Sequence, residues 1–256
     1  MAAKKSKNAV LGFLNATVLF AYNVVQLIGW SCVAWKLFLV ATEKSEDTFE
    51  AAYSATSLLV ISLQQFSCLE LLLSVAGILP SPLVNVLMQL TARNSVILVA
   101  VQFTSSASVL ESPAIFITFI AWSIAEIARY SWLLGKTFPD SCAALNRFLT
   151  WVRYNMFLVL YPLGAVGEGW TMWNAMQLEE VRTLKQVVCQ GIQELDENVC
   201  SGIGDQKIAL RDFIKYMYFP LFIPGFLFLY FHMLKQRSKK LKSSTVDSKN
   251  AKPKMD

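Results

Sequence analysis

The stretch from Asn8 to Trp35, NAVLGFLNATVLFAYNVVQLIGWSCVAW, contains no Asp, Glu, Lys or Arg. Three more charge-free stretches follow, from Ala51 to Leu69, from Asn94 to Leu110 and from Tyr216 to Leu234. Crossing the roughly 30 Å hydrocarbon core of a bilayer takes about 20 apolar residues in a helix. In lipid a lone segment must satisfy its own backbone N–H and C=O groups, which a helix does. A soluble chain rarely builds several such segments, so the fold class is an all-α integral membrane protein.

Composition agrees. The chain of 256 residues is 55% hydrophobic and 16% charged, where soluble domains run near 25% charged, and the mean hydropathy is +0.44. Lys4, Lys5 and Lys7 resemble the start of a secretory signal. The apolar run outlasts a signal core, however, and no small-x-small cleavage site ends it. Five cysteines without CxxC spacing and a single histidine, His232, do not suit a zinc site. No phosphate loop, nucleophile elbow or dinucleotide fingerprint is present, so no cofactor is expected. The net charge of +5 sits mostly in the last residues, not in a basic, aromatic-interleaved patch, so nucleic acid is not an expected partner.

Working outward from the opening stretch, the pattern predicts six transmembrane helices over 11–36, 53–79, 83–105, 112–134, 148–174 and 213–234. Breakers separate them: Pro80-Ser81-Pro82, Ser112-Pro113 and Pro139-Asp140. Lys and Arg concentrate in residues 1–10, in the loop with Lys136 and Arg147, and in 235–256, while Glu43–Glu50 and Glu179–Glu197 are acidic flanks. By the positive-inside bias both termini are cytosolic. The tail 235–256 reads as disordered, free to meet anionic membrane lipid. The lumenal loop 175–212 offers an amphipathic surface helix over Val181–Leu195. Cys189 and Cys200 lie in that loop, as free thiols or as a disulfide.

Charges inside a span are costly and mark sites by default. They are Glu70, Arg93, Glu126, Arg129 and Glu168, with Arg153 nearer the interface. Glu126 and Arg129 stand three apart and could pair, and Gln89 with Arg93 forms a polar stripe. The fifth span reads Arg153-Tyr154-Asn155, an apolar run, then Tyr161-Pro162-Leu163-Gly164-Ala165-Val166-Gly167-Glu168. Tyr154, Tyr161 and Glu168 recur every seven residues and so share a helix face. Pro162 should kink the helix, and Gly164, Gly167 and Gly169 leave room for a neighbouring backbone or a ligand. Glu168 has no cation one turn away. Its partner must come from another helix, or it sits protonated. A carboxyl and a phenol on one face suit proton transfer, although an aromatic helix contact explains Tyr161 equally well.

These residues carry a resemblance. Tyr22-Asn23, Gly29-Trp30, Leu69-Glu70, Gly77, Ser81-Pro82, Gln89, Arg93, Trp122-Ser123, Glu126 and Arg129-Tyr130 fall on the spacing of one family. So does the block Tyr161-Pro-x-Gly-x-x-x-Glu168. The chain resembles the very-long-chain (3R)-3-hydroxyacyl-CoA dehydratases, or protein tyrosine phosphatase-like family, over about residues 18 to 234.

The resemblance implies dehydration of a long-chain (3R)-3-hydroxyacyl-CoA to the trans-2-enoyl-CoA in the fatty-acid elongation cycle of the endoplasmic reticulum membrane. It implies Tyr161 and Glu168 as the catalytic pair, in either acid–base order. The expected partners are that substrate, membrane lipid, and the condensing enzyme and the ketoacyl and enoyl reductases of the cycle. Arg93, Gln89, Glu126, Arg129, Tyr154 and Arg153 are supporting candidates. Lys136, Arg147 or Arg153 would meet CoA phosphates. Leu73 stands where the family has a histidine, and Pro80 where it has a basic residue. A catalytically inactive membrane scaffold is the main alternative; a channel or transporter is less favoured because no internal repeat is visible. Phosphatase chemistry is disfavoured because Arg147 follows Cys142 one residue too closely for a Cys-x5-Arg loop.

Overall fold

The computed structural model describes residues 2–43, 47–79, 83–98, 104, 106–137, 142–178, 181–183 and 207–250. Helix α1 spans Ala2–Glu43, α2 Thr48–Phe66, α3 Leu69–Val75 and α4 Leu83–Ser95, which continues as a π-helical turn to Leu98. Then come a short α5, Ala107–Leu110, and the long α6, Pro113–Gly135, and α7, Ala143–Met176. Strands β1, Val181–Thr183, and β2, Lys207–Ala209, pair antiparallel before α8, Leu210–Phe213. A π-helical turn, Ile214–Tyr218, leads into α9, Phe219–Asn250.

Local sequence explains the boundaries. Gly77 adopts φ +70° after α3, which an L side chain rarely tolerates. There Ile78 N donates to Leu73 O at 2.9 Å and Gly77 N to Ser74 O at 3.1 Å, the paired bonds that close a helix on a left-handed residue. Ser112 caps α6 with Pro113 in its first turn, its hydroxyl accepting from Ile115 N. Pro162 lies inside α7, which stays helical to Met176.

Four segments are long and apolar enough to cross a membrane: Asn15–Glu43, Thr48–Val75, Pro113–Gly135 and Leu210–Lys239. Leu83–Leu98 is a shorter apolar helix. Their outer faces fit lipid. Leu58, Val75, Val159, Leu221 and Phe231 are each more than 60% exposed, apolar surface that water would not tolerate at this density. The polar and charged groups turn inward, as a membrane bundle requires.

Several expectations need correction. The basic ends are not separate from the spans: α1 begins at Ala2 and α9 runs to Asn250. Ala, Lys and Leu are good helix formers, and no proline interrupts either extension. The expected surface helix over Val181–Leu195 is replaced at its start by β1, where Val181 pairs with Ala209 and Thr183 with Lys207. β-branched Val181, Thr183 and Ile208 favour that ladder, so the body is all-helical with one small β element. The fifth helix begins at Ala143, five residues before the expected 148. Cys189 and Cys200, the turn Pro80-Ser81-Pro82 and Pro139-Asp140 lie outside the described residues.

Candidate active site

Helices α6 and α7 run antiparallel, and their closest approach is at Gly167. A Cβ there would stand 2.5 Å from Thr118 Oγ1 and 3.0 Å from Thr118 N. Only a glycine allows that spacing, because the obstacle includes backbone. Gly164 faces Ala121 at an ordinary 3.6 Å. This contact places Glu168, next along α7, against the middle of α6. There Trp122 Nε1 donates to Glu168 Oε1 at 2.7 Å. Glu168 is buried, and its partner does come from another helix, as an indole in place of a cation.

Two further groups share the field of this carboxyl. Tyr161 lies on the same inward face of α7, and its hydroxyl and the Glu168 carboxyl are within electrostatic reach of each other and of Arg93. The Tyr161 ring is held by stacking on Phe226 at 5.0 Å and Tyr230 at 5.9 Å, both from α9. The Arg93 guanidinium sits 5.2 Å from the Trp122 ring centroid. The structure thus brings Tyr161, Glu168 and Arg93 into one neighbourhood across α4, α6, α7 and α9.

A second polar layer lies behind it. Arg93 donates to Glu126 Oε1, and Arg129 Nε donates to Glu126 Oε2 at 2.7 Å. Arg129 also forks onto Glu70, through Nη1 to Oε2 at 2.9 Å and Nη2 to Oε1 at 2.7 Å. Tyr22 and Tyr130 hydroxyls donate to the same Glu70 Oε1 at 2.9 and 2.8 Å. From α1, Gln26 bonds Tyr22, Ser67 and the Leu63 carbonyl, and accepts from Trp30. Two carboxylates face two guanidinium groups, so the layer is neutral and internally satisfied, the condition for burying charge. Gln89 lines a recess beside Glu70, Arg93, Glu126 and Arg129.

The candidates therefore separate. Glu126 and Arg129 pair as the i, i+3 spacing suggests, but Arg129 is committed to Glu70 and Glu126 and faces away from the Tyr161 neighbourhood's open side; it is a clamp between helices. Arg93 bridges both layers. Tyr154 is buried edge-on against Trp132, and the Arg153 guanidinium lies 4.2 Å from that ring centroid. With Lys136 over the same indole at 3.4 Å, these form a cationic cluster at the other end of α7, about 20 Å from Glu168 along the helix. His232 Nε2 lies 3.3 Å from Asn85 Nδ2 and 2.8 Å from Gln236 Nε2, tying α9 to α4. Leu73 is buried and apolar. Trp122 as the partner of Glu168, and Tyr218, whose hydroxyl is also within electrostatic reach of Glu168, escaped sequence reasoning. No periodicity links residues on helices whose pairing is unknown.

Residues 64–243 match the family model described as protein tyrosine phosphatase-like protein, PTPLA. Among curated proteins the chain is 30% identical over 223 residues to the very-long-chain (3R)-3-hydroxyacyl-CoA dehydratase hpo-8 of Caenorhabditis elegans, covering 87% of this chain and 94% of that protein. It is 30% identical over 236 residues to the human very-long-chain (3R)-3-hydroxyacyl-CoA dehydratase 2, covering 92% and 85%. It is 28% identical over 242 residues to the dog very-long-chain (3R)-3-hydroxyacyl-CoA dehydratase 1, covering 94% and 88%. No solved structure matches. With seven-tenths of its length inside the family model and relatives aligned along nearly the whole chain, the protein belongs to the protein tyrosine phosphatase-like, PTPLA, family.

Proposed function

We propose that the protein dehydrates long- or very-long-chain (3R)-3-hydroxyacyl-CoA to trans-2-enoyl-CoA, with Tyr161 and Glu168 as the acid–base pair. The observation that carries this is the meeting of a buried carboxyl and a phenol on one inward face of α7, within the field of Arg93. The names of the relatives supply the substrate class. Glu168 accepts the α-proton. The electrons of that C–H bond form the C2–C3 double bond as the C3–O bond breaks. The Tyr161 hydroxyl gives its proton to the departing oxygen, and water leaves. Proton return from Glu168 to Tyr161 resets the site. Arg93 opposes the negative charge that builds on the thioester oxygen.

The same reading places six crossings at α1, α2–α3, α4, α6, α7 and α8–α9, with both termini in the cytosol and the chain in the endoplasmic reticulum membrane. The basic flanks support it. The cations around Trp132 would then meet CoA phosphates at the cytosolic mouth, and the acyl chain would lie among apolar helices. Other enzymes of the elongation cycle are the proposed partners. Chromatographic assay of enoyl-CoA formation by purified Glu168→Gln and Tyr161→Phe variants tests the pair. Each should lose roughly a hundredfold or more in turnover while still melting cooperatively. Wild-type rates in both folded variants would refute the assignment.

A further inference from the structure

The π-helical turn Ile214–Tyr218 leads into α9 and buries its first and last residues, while Tyr216 and Met217 between them point outward. Such turns are rare and are used where a helix must re-aim a side chain, often at functional sites. The side chain re-aimed here is Tyr218. It is 6% exposed, and its hydroxyl has no hydrogen-bond partner among the described residues. A buried hydroxyl left unpaired is costly and calls for an explanation.

Position supplies one. The Tyr218 ring stacks on Phe222 at 5.0 Å between centroids and 16° between planes. Phe222 in turn faces Gly169, where a Cβ would lie 4.0 Å from Phe222 Cε1. The stack continues along α9 through Phe226 to Tyr230, where Tyr161 joins it. Two phenols thus stand at opposite ends of one aromatic ladder, Tyr161 and Tyr218, and the Glu168 carboxyl is within electrostatic reach of both. The Trp122 N–H already serves Glu168, and Arg129 is committed to Glu70 and Glu126.

Dehydration of a 3-hydroxyacyl thioester involves two oxygens, the departing hydroxyl and the thioester carbonyl, one on either side of the carbon that loses its proton. A base flanked by two phenols matches that arrangement. Resting on the dehydratase reading above, we propose that the Tyr218 hydroxyl donates a hydrogen bond to whichever substrate oxygen Tyr161 does not serve. The hydroxyl is unpaired in the free protein because its partner arrives with the substrate.

Tyr218→Phe keeps the ring stack and removes only the hydroxyl. In full-length, detergent-solubilised protein it should lower kcat/KM with a long-chain (3R)-3-hydroxyacyl-CoA roughly a hundredfold, the usual scale for one lost donor to a reacting oxygen. The thermal midpoint should hold or rise, since an unpaired buried hydroxyl has gone. Binding of a saturated acyl-CoA, which lacks the 3-hydroxyl, locates the contact. Weakened binding assigns the thioester oxygen, and unchanged binding with weakened 3-hydroxyacyl-CoA binding assigns the 3-hydroxyl; either supports the proposal. Unchanged kcat/KM overturns it, and so does lost turnover accompanied by a lower thermal midpoint, which makes the hydroxyl structural. Turnover silenced by Glu168→Gln but indifferent to Tyr218→Phe sinks this inference alone. A wild-type protein that neither turns over nor binds 3-hydroxyacyl-CoA sinks both readings.

Discussion

Trp122 on α6 and Glu168 on α7 meet at 2.7 Å although 46 residues separate them. The indole N–H is a fixed, neutral donor, so it orients the carboxyl without neutralising it. That leaves the second carboxyl oxygen to face the reacting carbon.

Replacing Trp122 by Phe removes this donor and keeps an aromatic ring. Hydrogen bonds to charged groups contribute about 1.5–3 kcal/mol, which corresponds to roughly ten- to a hundredfold in rate. Enoyl-CoA formation should fall by that factor while the protein still melts cooperatively. A Trp122→Phe enzyme with wild-type kcat/KM would mean that the indole does not position the base.

Gly167 and Gly169 should respond differently to alanine. At Gly167 the added methyl meets the Thr118 backbone at 3.0 Å and must push α6 away, and overpacking of that kind costs about 1–3 kcal/mol. At Gly169 the nearest side-chain atom stands at 4.0 Å. Thermal unfolding in detergent should show a lowered midpoint for Gly167→Ala and little change for Gly169→Ala. Equal midpoints would contradict the close contact of α6 with α7.

Arg129 holds two carboxylates from two helices, so Arg129→Met strands Glu70 and Glu126 together. Removing one partner of a buried ion pair costs about 3–5 kcal/mol. Arg129→Met should fold poorly, and Glu70→Gln added to it should recover part of the loss, because one stranded charge has gone. Expression level and melting temperature read this directly. Additive losses would mean that Arg129 and Glu70 act independently.

The basic ends predict sidedness. Tags placed before Lys4 and after Lys254 should both be digested by protease added to the cytosolic face of intact microsomes. Protection of one tag alone would require an odd number of crossings.

Much of the bundle was legible in advance because lipid imposes a simple rule on sequence. Long charge-free stretches become helices, and isolated charges within them turn inward. The pairing of Glu126 with Arg129 followed from three-residue spacing, and the shared face of Tyr161 and Glu168 from seven. Local rules misled where competing local structure won. Val181-Arg182-Thr183 entered a ladder with a strand some 25 residues away, and the helices ran on through lysine-rich ends because nothing there breaks a helix. Arg153 and Tyr154 looked like neighbours of the pair on one helix, yet two turns and more of helix separate them from Tyr161. They pack instead on Trp132.

The chain alone determined that it lies in a membrane, where its helices fall, and which phenol and carboxyl share a face, since each of these depends on hydropathy or on the pitch of one helix. Only the tertiary structure decided that Trp122 holds Glu168, that Arg129 is spent on Glu70, and that Tyr218 turns its unpaired hydroxyl toward the same chamber. Those relationships join helices far apart in sequence, and their partners are chosen by how glycine-lined and aromatic surfaces pack, a property that no single segment carries.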